Sequence, residues 1–350
     1  MTPGPGGSSE HRDYLVGIAF VCGSVLCFSF LDTIAKYLGR DLPVMQIVWA
    51  RYMGHFLLAL VMVAPWRGAG QLRTSRLGIQ VARSALLFGS TAANFVALRY
   101  LQLTETVSIL FTAPLMVAMF SVVLLGEHVG PRRWAAIIVG FIGVLIITRP
   151  GSGAFQWPAL LSLFSAVSVA LYNILTRKLA GSDTAWTSQF YATLIACAVL
   201  TPAMPFVWQT PGEPVQWLLM VAIGLFGGFG HWIYTLAHYR APASHIAPFI
   251  YSQIVWMTLL GYLVFSDLPG PWTAVGATVV ALSGLYLLRR ERVVKGGYAR
   301  MRPGESMDWR IGIVLVETLP KPLTPKTLPG QLNRSLRTFR DAGRRGVAGL

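Results

Sequence analysis

Apolar residues fall along this chain in ten long runs separated by short polar stretches. In order they are Tyr14–Thr33, Val44–Ala64, Ile79–Leu98, Val107–Leu125, Arg133–Ile147, Pro158–Leu175, Trp186–Val207, Trp217–Leu236, Ile246–Phe265 and Trp272–Leu288. A run of roughly 17–25 residues crosses the ~30 Å hydrocarbon core of a bilayer as a helix. The fifth run is short and is expected to recruit residues at its ends. The runs are continuous rather than alternating, which excludes a porin-like barrel. Each span must therefore be a helix that satisfies its own backbone hydrogen bonds. The expected fold class is all-α integral membrane, with ten transmembrane helices.

A second pattern lies over the first. Residues 31–39 read Leu-Asp-Thr-Ile-Ala-Lys-Tyr-Leu-Gly, and residues 172–180 read Tyr-Asn-Ile-Leu-Thr-Arg-Lys-Leu-Ala. Asp32 matches Asn173, Lys36 matches Arg177 and Leu38 matches Leu179, each 141 residues on. Gly-Glu-His-Val-Gly-Pro at 126–131 is echoed by Ser-Asp-Leu-Pro-Gly-Pro at 266–271, 140 residues on. Two echoes at nearly one offset point to a duplicated unit. Each unit holds five spans, an odd number, so the second must be inverted relative to the first. The expected organisation is an N-terminal segment 1–13, a first repeat 14–149, a second repeat 158–288 and a tail 289–350. Internal duplication in a membrane protein is a mark of transporters, whose binding site lies between the halves.

Composition and charge agree with the bilayer. Only 12% of residues are charged, about half the share of a soluble domain. Within the runs lie only Asp32 among the acids and only Arg51 and Arg83 among the deep bases. With the N-terminus placed in the cytoplasm, the inner loops hold 13 Lys and Arg, and the outer loops hold 4: Lys36, Arg40, Arg99 and Arg149. The positive-inside bias puts both termini in the cytoplasm. The first span is read as a retained helix, with a signal peptide as the weaker alternative. Cys22, Cys27 and Cys197 sit in spans and suggest neither a disulfide framework nor a metal site. Of the formal charge of +15, the tail contributes 14 basic against 5 acidic residues. The tail is expected to be a disordered basic segment drawn to anionic lipid rather than a nucleic-acid binder, with Trp309–Val316 a short piece that could order.

The motifs resemble the drug/metabolite transporter superfamily in its EamA-like, ten-helix branch, over about residues 14–290. The first repeat carries Ala97-Leu98-Arg99-Tyr100-Leu101, Thr112-Ala113-Pro114-Leu115, Leu125-Gly126-Glu127 and Gly140-Phe141-Ile142-Gly143-Val144. The second carries Ala247-Pro248-Phe249-Ile250-Tyr251, Phe265-Ser266-Asp267 and Gly284-Leu285-Tyr286. Trp49-Ala50-Arg51-Tyr52 is similar to the family's aromatic-x-Arg-aromatic pattern. Two departures stand out: Asp267 where the family usually has Glu, and Ile254 where a proline would match Pro114. Pro248 through Gln253 and the Asp32/Lys36 pair are most like a bacterial subgroup that includes S-adenosylmethionine uptake proteins. The resemblance implies a secondary-active transporter of a small polar metabolite working by alternating access.

The candidate substrate-binding residues are Asp32, Arg51, Asn94, Pro114, Asn173, His231, Tyr234, Tyr251, Gln253 and Trp256. Asp32 and Lys36 are four apart on a helix, so they read either as a local ion pair or as a binding carboxylate at the outer mouth. Arg51, with His55 one turn on, reads as an anchor for a substrate carboxylate or phosphate, or as a structural partner of Asp32. Arg83, near the cytoplasmic edge, is expected to snorkel. Pro114 and Pro248 are expected to break spans four and nine. Tyr251 and Trp256 could stack on a planar or cationic ligand. Gly224 and Gly228 are expected to permit close helix packing. His231, His238 and His245 are spaced by seven, but Pro242 interrupts them, which disfavours a metal site. No Walker loop, zincin or nucleophile-elbow motif occurs. No cofactor or catalytic residue is expected. A membrane enzyme or sensor is the rival class, and only Asp32, Arg51 and His55 could serve it. A coupling ion, proton or sodium, and a homodimer remain open.

Overall fold

The structure is a computed structural model that describes residues 5–63, 74–125, 130–150, 156–179, 183, 185–240 and 247–299. Its helices are α1 Pro5–Leu38, α2 Val44–Val63, α3 Leu77–Leu98, α4 Leu103–Leu110, α5 Ala113–Leu125, α6 Pro131–Thr148, α7 Ala159–Leu179, α8 Ala185–Val207, α9 Pro214–Arg240, α10 Gln253–Phe265 and α11 Pro271–Ala299. A 3-10 segment, Ala247–Ser252, precedes α10. Among the described residues ten spans are long and apolar enough to cross a membrane, with α4 and α5 sharing one and the 3-10 segment and α10 sharing another. The short fifth run does recruit its flanks, since α6 covers 18 residues. Two helices run past their apolar stretches. The helix of α1 starts at Pro5, inside the N-terminal segment, and α11 carries the first residues of the basic tail to Ala299. The remainder of the tail, Trp309–Val316 included, lies outside the described residues.

Local chemistry sets the helix ends. Proline opens α6, α9 and α11, where its missing N–H has no helical partner to lose and its fixed φ already suits a helix. Arg149 and Ser266 end α6 and α10 at φ 45° and 57°. At Ser266 the chain folds back so that the Asp267 N–H reaches the Gly261 carbonyl at 3.0 Å. This left-handed cap fixes where Asp267 points.

The fourth and ninth spans are broken at matching places. Pro114 is the second residue of α5, and its ring excludes a helical bond to the Leu110 carbonyl one turn back. The helix accordingly stops at Leu110 and restarts at Ala113. In the ninth span, Pro248 lies in the tighter 3-10 turn before α10. Phe111 and Tyr251, 140 residues apart at the two breaks, pack edge to face at 4.8 Å. The breaks correspond in place although Ile254 replaces the proline, so that departure changes the local geometry and not the architecture.

Helix packing shows the duplication directly. The helices of the first repeat are α1, α2, α3, α4 with α5, and α6; those of the second are α7, α8, α9, α10 and α11. Exchanging the repeats turns the α1–α9 contact into α7–α3, α2–α9 into α8–α3, and the α4/α5–α7 contact into α10–α1. Each of these pairs is present. Three contacts map onto themselves: α2–α8, α4–α10 and α6–α11. The fold is thus two inverted five-helix repeats facing each other. The crossing of α2 and α9 uses glycine on both sides. A Cβ on Gly54 would lie 2.6 Å from the Gly224 Cα, and the reverse holds at 2.6 Å. Gly228 lies against His55 and Leu58, which bears out the close-packing role expected of this stretch.

Candidate functional site

One set of buried and half-buried polar side chains gathers where α1, α2, α3 and α9 meet. Arg51 on α2 is only 6% exposed. Its Nη1 donates to Thr91 Oγ1 on α3 at 3.0 Å. Its guanidinium lies 4.5 Å from the ring centre of Tyr52. Tyr52 Oη and Thr91 Oγ1 are themselves 3.0 Å apart. Arg51 Nε is buried and meets no hydrogen-bond partner among the described residues, and no carboxylate there is within ion-pairing distance of Arg51. Gly227 flanks this side chain, and a Cβ there would rest in ordinary contact with Arg51 Cγ at 3.6 Å. A buried guanidinium has five N–H groups to satisfy, and an unmet donor in a dry site is costly.

One turn along α2, His55 is buried and stacks on His231 of α9, with ring centres 5.2 Å apart and planes 14° from parallel. Phe28 of α1 meets the His231 ring edge-on at 4.9 Å. Asp32 is half-buried on α1 and accepts a hydrogen bond from Asn94 Nδ2 on α3 at 3.2 Å. The cluster therefore holds a carboxylate, a guanidinium with spare donors, and two imidazoles against aromatic walls. Such a group can receive a polar ligand bearing an acidic function.

The sequence-predicted residues divide into those this cluster includes and those it does not. Asp32, Arg51, Asn94 and His231 come together. Tyr234 is partly buried one turn beyond His231. Asn173 is exposed on α7, next to Tyr172, which faces Arg83. Pro114 shapes the break between α4 and α5. Tyr251 is fixed by packing, wedged between Phe111 and Gly284 with its hydroxyl where a Cβ on Gly284 would stand. Gln253 is buried at the start of α10. Trp256 packs on Val21, Val25 and Ala237, an apolar cluster of α1 and α9.

Two pairings differ from expectation. Lys36 does not turn back to Asp32. Its Nζ donates to Asp267 Oδ2 of the other repeat at 2.8 Å and to the Leu101 carbonyl at 3.0 Å. The contact ties α1 to the end of α10, where the Ser266 cap presents the carboxylate. Arg83 does not snorkel. It is 2% exposed. Its Nε donates to Thr176 Oγ1 at 2.8 Å, Nη2 to Tyr172 Oη at 2.7 Å, and Nη1 to Gln80 Oε1 and the Ser188 carbonyl, both at 3.0 Å. Gln80 Nε2 in turn donates to Asp183 Oδ2 at 2.7 Å. Polar partners on α7 and α8 hold the guanidinium in place, so it has no need to reach water.

Sequence reasoning left out Thr91 and Tyr52 from the site, and Gln80, Thr176 and Ser188 around Arg83, and read His55 only as the neighbour of Arg51. The one usable signal was local. Gln80 and Arg83 are three apart on one helix, and Arg51 and His55 four apart, so each pair shares a face.

A model of the EamA-like transporter family matches residues 15–149 and again residues 156–290. The chain belongs to the EamA-like transporter family. Among its relatives is an S-adenosylmethionine uptake transporter of Rickettsia prowazekii, 26% identical over 281 residues, covering 80% of this chain and 95% of that protein. A riboflavin transporter of Vibrio cholerae is 29% identical over 292 residues, covering 81% of this chain and 96% of that one. A crystal structure 19% identical in sequence superposes with a TM-score of 0.56, covering 79% of this chain and 98% of that one, and supports the fold. This is a multi-pass membrane protein of a transporter family with metabolite-uptake relatives.

Proposed function

We propose that the chain is a secondary-active transporter of a small polar metabolite carrying a carboxylate or phosphate, working by alternating access across a bacterial inner membrane. The observation that carries this reading is Arg51, a buried cation with an unmet donor and, among the described residues, no carboxylate within ion-pairing distance, Asp32 acting on it only from farther off. An intramembrane charge of this kind marks a substrate pathway by default, and a guanidinium suits a planar acidic group. The site sits between the two repeats, where transporters of duplicated architecture bind substrate. Alternation is supported by polar ties at both ends of the bundle. At one end are Lys36–Asp267 and the paired bonds between Gln46 and the Gln209 backbone at 2.8 and 2.9 Å. At the other is the Arg83 network. Exchange of one set for the other would open each side in turn.

The named relatives separate the chemistry. S-adenosylmethionine carries a carboxylate, and riboflavin carries no acidic group. In proteoliposomes, S-adenosylmethionine or another acid-bearing metabolite of a panel is expected to enter faster than in empty vesicles, and riboflavin is not. Uptake restricted to compounds without an acidic group would overturn the reading. Proton and sodium gradients imposed in turn identify the coupling ion by which of them raises the rate.

The 13-to-4 bias of basic residues supports cytoplasmic termini. Reporter fusions after Leu350 and within the 208–216 connection are expected to report opposite sides, with Leu350 inside. A periplasmic Leu350 would refute the orientation.

A further inference from the structure

We propose that the groove between α6 and α11 binds an anionic phospholipid, with one acyl chain along the groove and the headgroup phosphate at its basic end. These helices run antiparallel and cross at Gly143 and Gly276, where a Cβ on either would lie within 3 Å of the opposite carbonyl oxygen. On one side of the crossing they leave a groove of about 410 Å³, walled chiefly by Ala135, Val139, Val279 and Leu282. From Arg132 to Val139 it runs roughly 10 Å at 1.5 Å per residue. That is about two-thirds of the ~15 Å hydrocarbon depth of one leaflet.

Polarity is confined to one end. Arg132, in the first turn of α6, and Tyr286, late in α11, line the groove there. Ser283, the remaining polar lining residue, donates to its own helix at the Val280 carbonyl. Arg289 is exposed one turn beyond Tyr286 on the same face of α11. Two guanidiniums and a phenol thus stand where the apolar channel opens toward the interface, and Trp134 beside Arg132 is of the type that anchors at headgroup depth. Lys and Arg suit a phosphate, while the channel offers a chain nothing polar. Charge complementarity and the one-ended polarity select an anionic phospholipid over a second copy of the chain, whose identical basic rim would face this one across a symmetric contact. The positive-inside bias puts this end in the inner leaflet, and the test does not depend on that assignment.

The test is native mass spectrometry of delipidated, detergent-purified protein titrated with phosphatidylglycerol or phosphatidylcholine. The wild-type protein is expected to retain phosphatidylglycerol better by about 25-fold, roughly fivefold for each of the two arginines. Arg132→Gln and Arg289→Gln are each expected to remove roughly fivefold of that preference while leaving phosphatidylcholine retention unchanged. Ala135→Trp, at a lipid-facing position, is expected to lower retention of both lipids by filling the channel. Monodispersity of each variant is measured alongside, and the two single arginine changes stand in for each other should one fail to insert. Equal retention of the two lipids by wild type, or a preference that survives both arginine changes, overturns the proposal. So does an Ala135→Trp variant that changes the monomer-to-dimer ratio without changing lipid count, which would assign the groove to a second copy.

Discussion

Arg51→Gln is expected to lower substrate uptake at sub-saturating concentration by about 30-fold or more, with the protein still inserted and monodisperse. Removing one member of a buried, hydrogen-bonded charge pair costs roughly 2–5 kcal/mol, and each 1.4 kcal/mol is tenfold. Among the described residues the direct partners of Arg51 are Thr91 and the Tyr52 face, neither charged, and Asp32 acts on it only from beyond ion-pairing distance, so most of that loss is assigned to a substrate anion. Arg51→Lys is expected to fall between, at about tenfold, because an ammonium keeps the charge and not the planar fork. The double change Arg51→Gln with Asp32→Asn separates the readings. A mutual ion pair would let neutralisation of both restore transport. In the structure Asp32 is bonded to Asn94 and lies outside ion-pairing range of Arg51, so no rescue is expected. Full rescue, measured as uptake per amount of monodisperse protein, would remove Arg51 from the binding site and leave it a structural partner of Asp32.

The ten spans were readable because the bilayer leaves the backbone one choice. A continuous apolar run in hydrocarbon has to be a helix, and no tertiary contact can override that. Their ends were less readable. The first apolar run ends at Thr33 while α1 continues to Leu38, where Lys36 is paired within the protein by Asp267. The break in the fourth span sits one turn before Pro114, since a proline removes the bond to the carbonyl four residues earlier. The corresponding break was marked only by Pro248, and the tighter turn around it is a tertiary outcome at the Phe111–Tyr251 contact. The site was legible as a set of unusual charges and not as pairings. Each charged side chain was visible as out of place. Its partner was not, because Lys36 meets a residue 231 positions away and Arg83 meets residues 89 to 105 away. Aromatic residues are ambiguous for the opposite reason, since one side chain suits both packing and stacking. Tyr251 and Trp256 have the right chemistry for stacking on a ligand, and in the structure Tyr251 is buried against Phe111 while Trp256 lies partly buried on α1 and α9.

Arg83→Gln is expected to open the end of the bundle that the charge bias assigns to the cytoplasm. The wild-type guanidinium joins α3 to Tyr172 and Thr176 of α7 and to the Ser188 carbonyl of α8. Through Gln80 it also reaches Asp183 between those helices. A hydrogen bond from a charged donor contributes about 1.5–3 kcal/mol, so losing two such bonds shifts an open-to-closed equilibrium by roughly two orders of magnitude or more. The reporter is Leu87→Cys, one turn deeper on α3 and buried at 8% exposure, with Cys22, Cys27 and Cys197 replaced by alanine. Labelling by a membrane-impermeant maleimide is measured in inside-out vesicles and, separately, in right-side-out vesicles. Arg83→Gln is expected to raise the rate at least tenfold in inside-out vesicles and to leave it unchanged or lower in right-side-out ones, since a protein that favours one opening visits the other less. Tyr172→Phe, which removes a single bond, is expected to give a smaller rise in the same direction. Faster labelling from both sides would mean that the helix packing has loosened, and an unchanged rate from a well-folded variant would make Arg83 a fixed strut. The one-sided increase is the outcome peculiar to a latch, because only a contact present in one state and absent in the other can shift the balance between them.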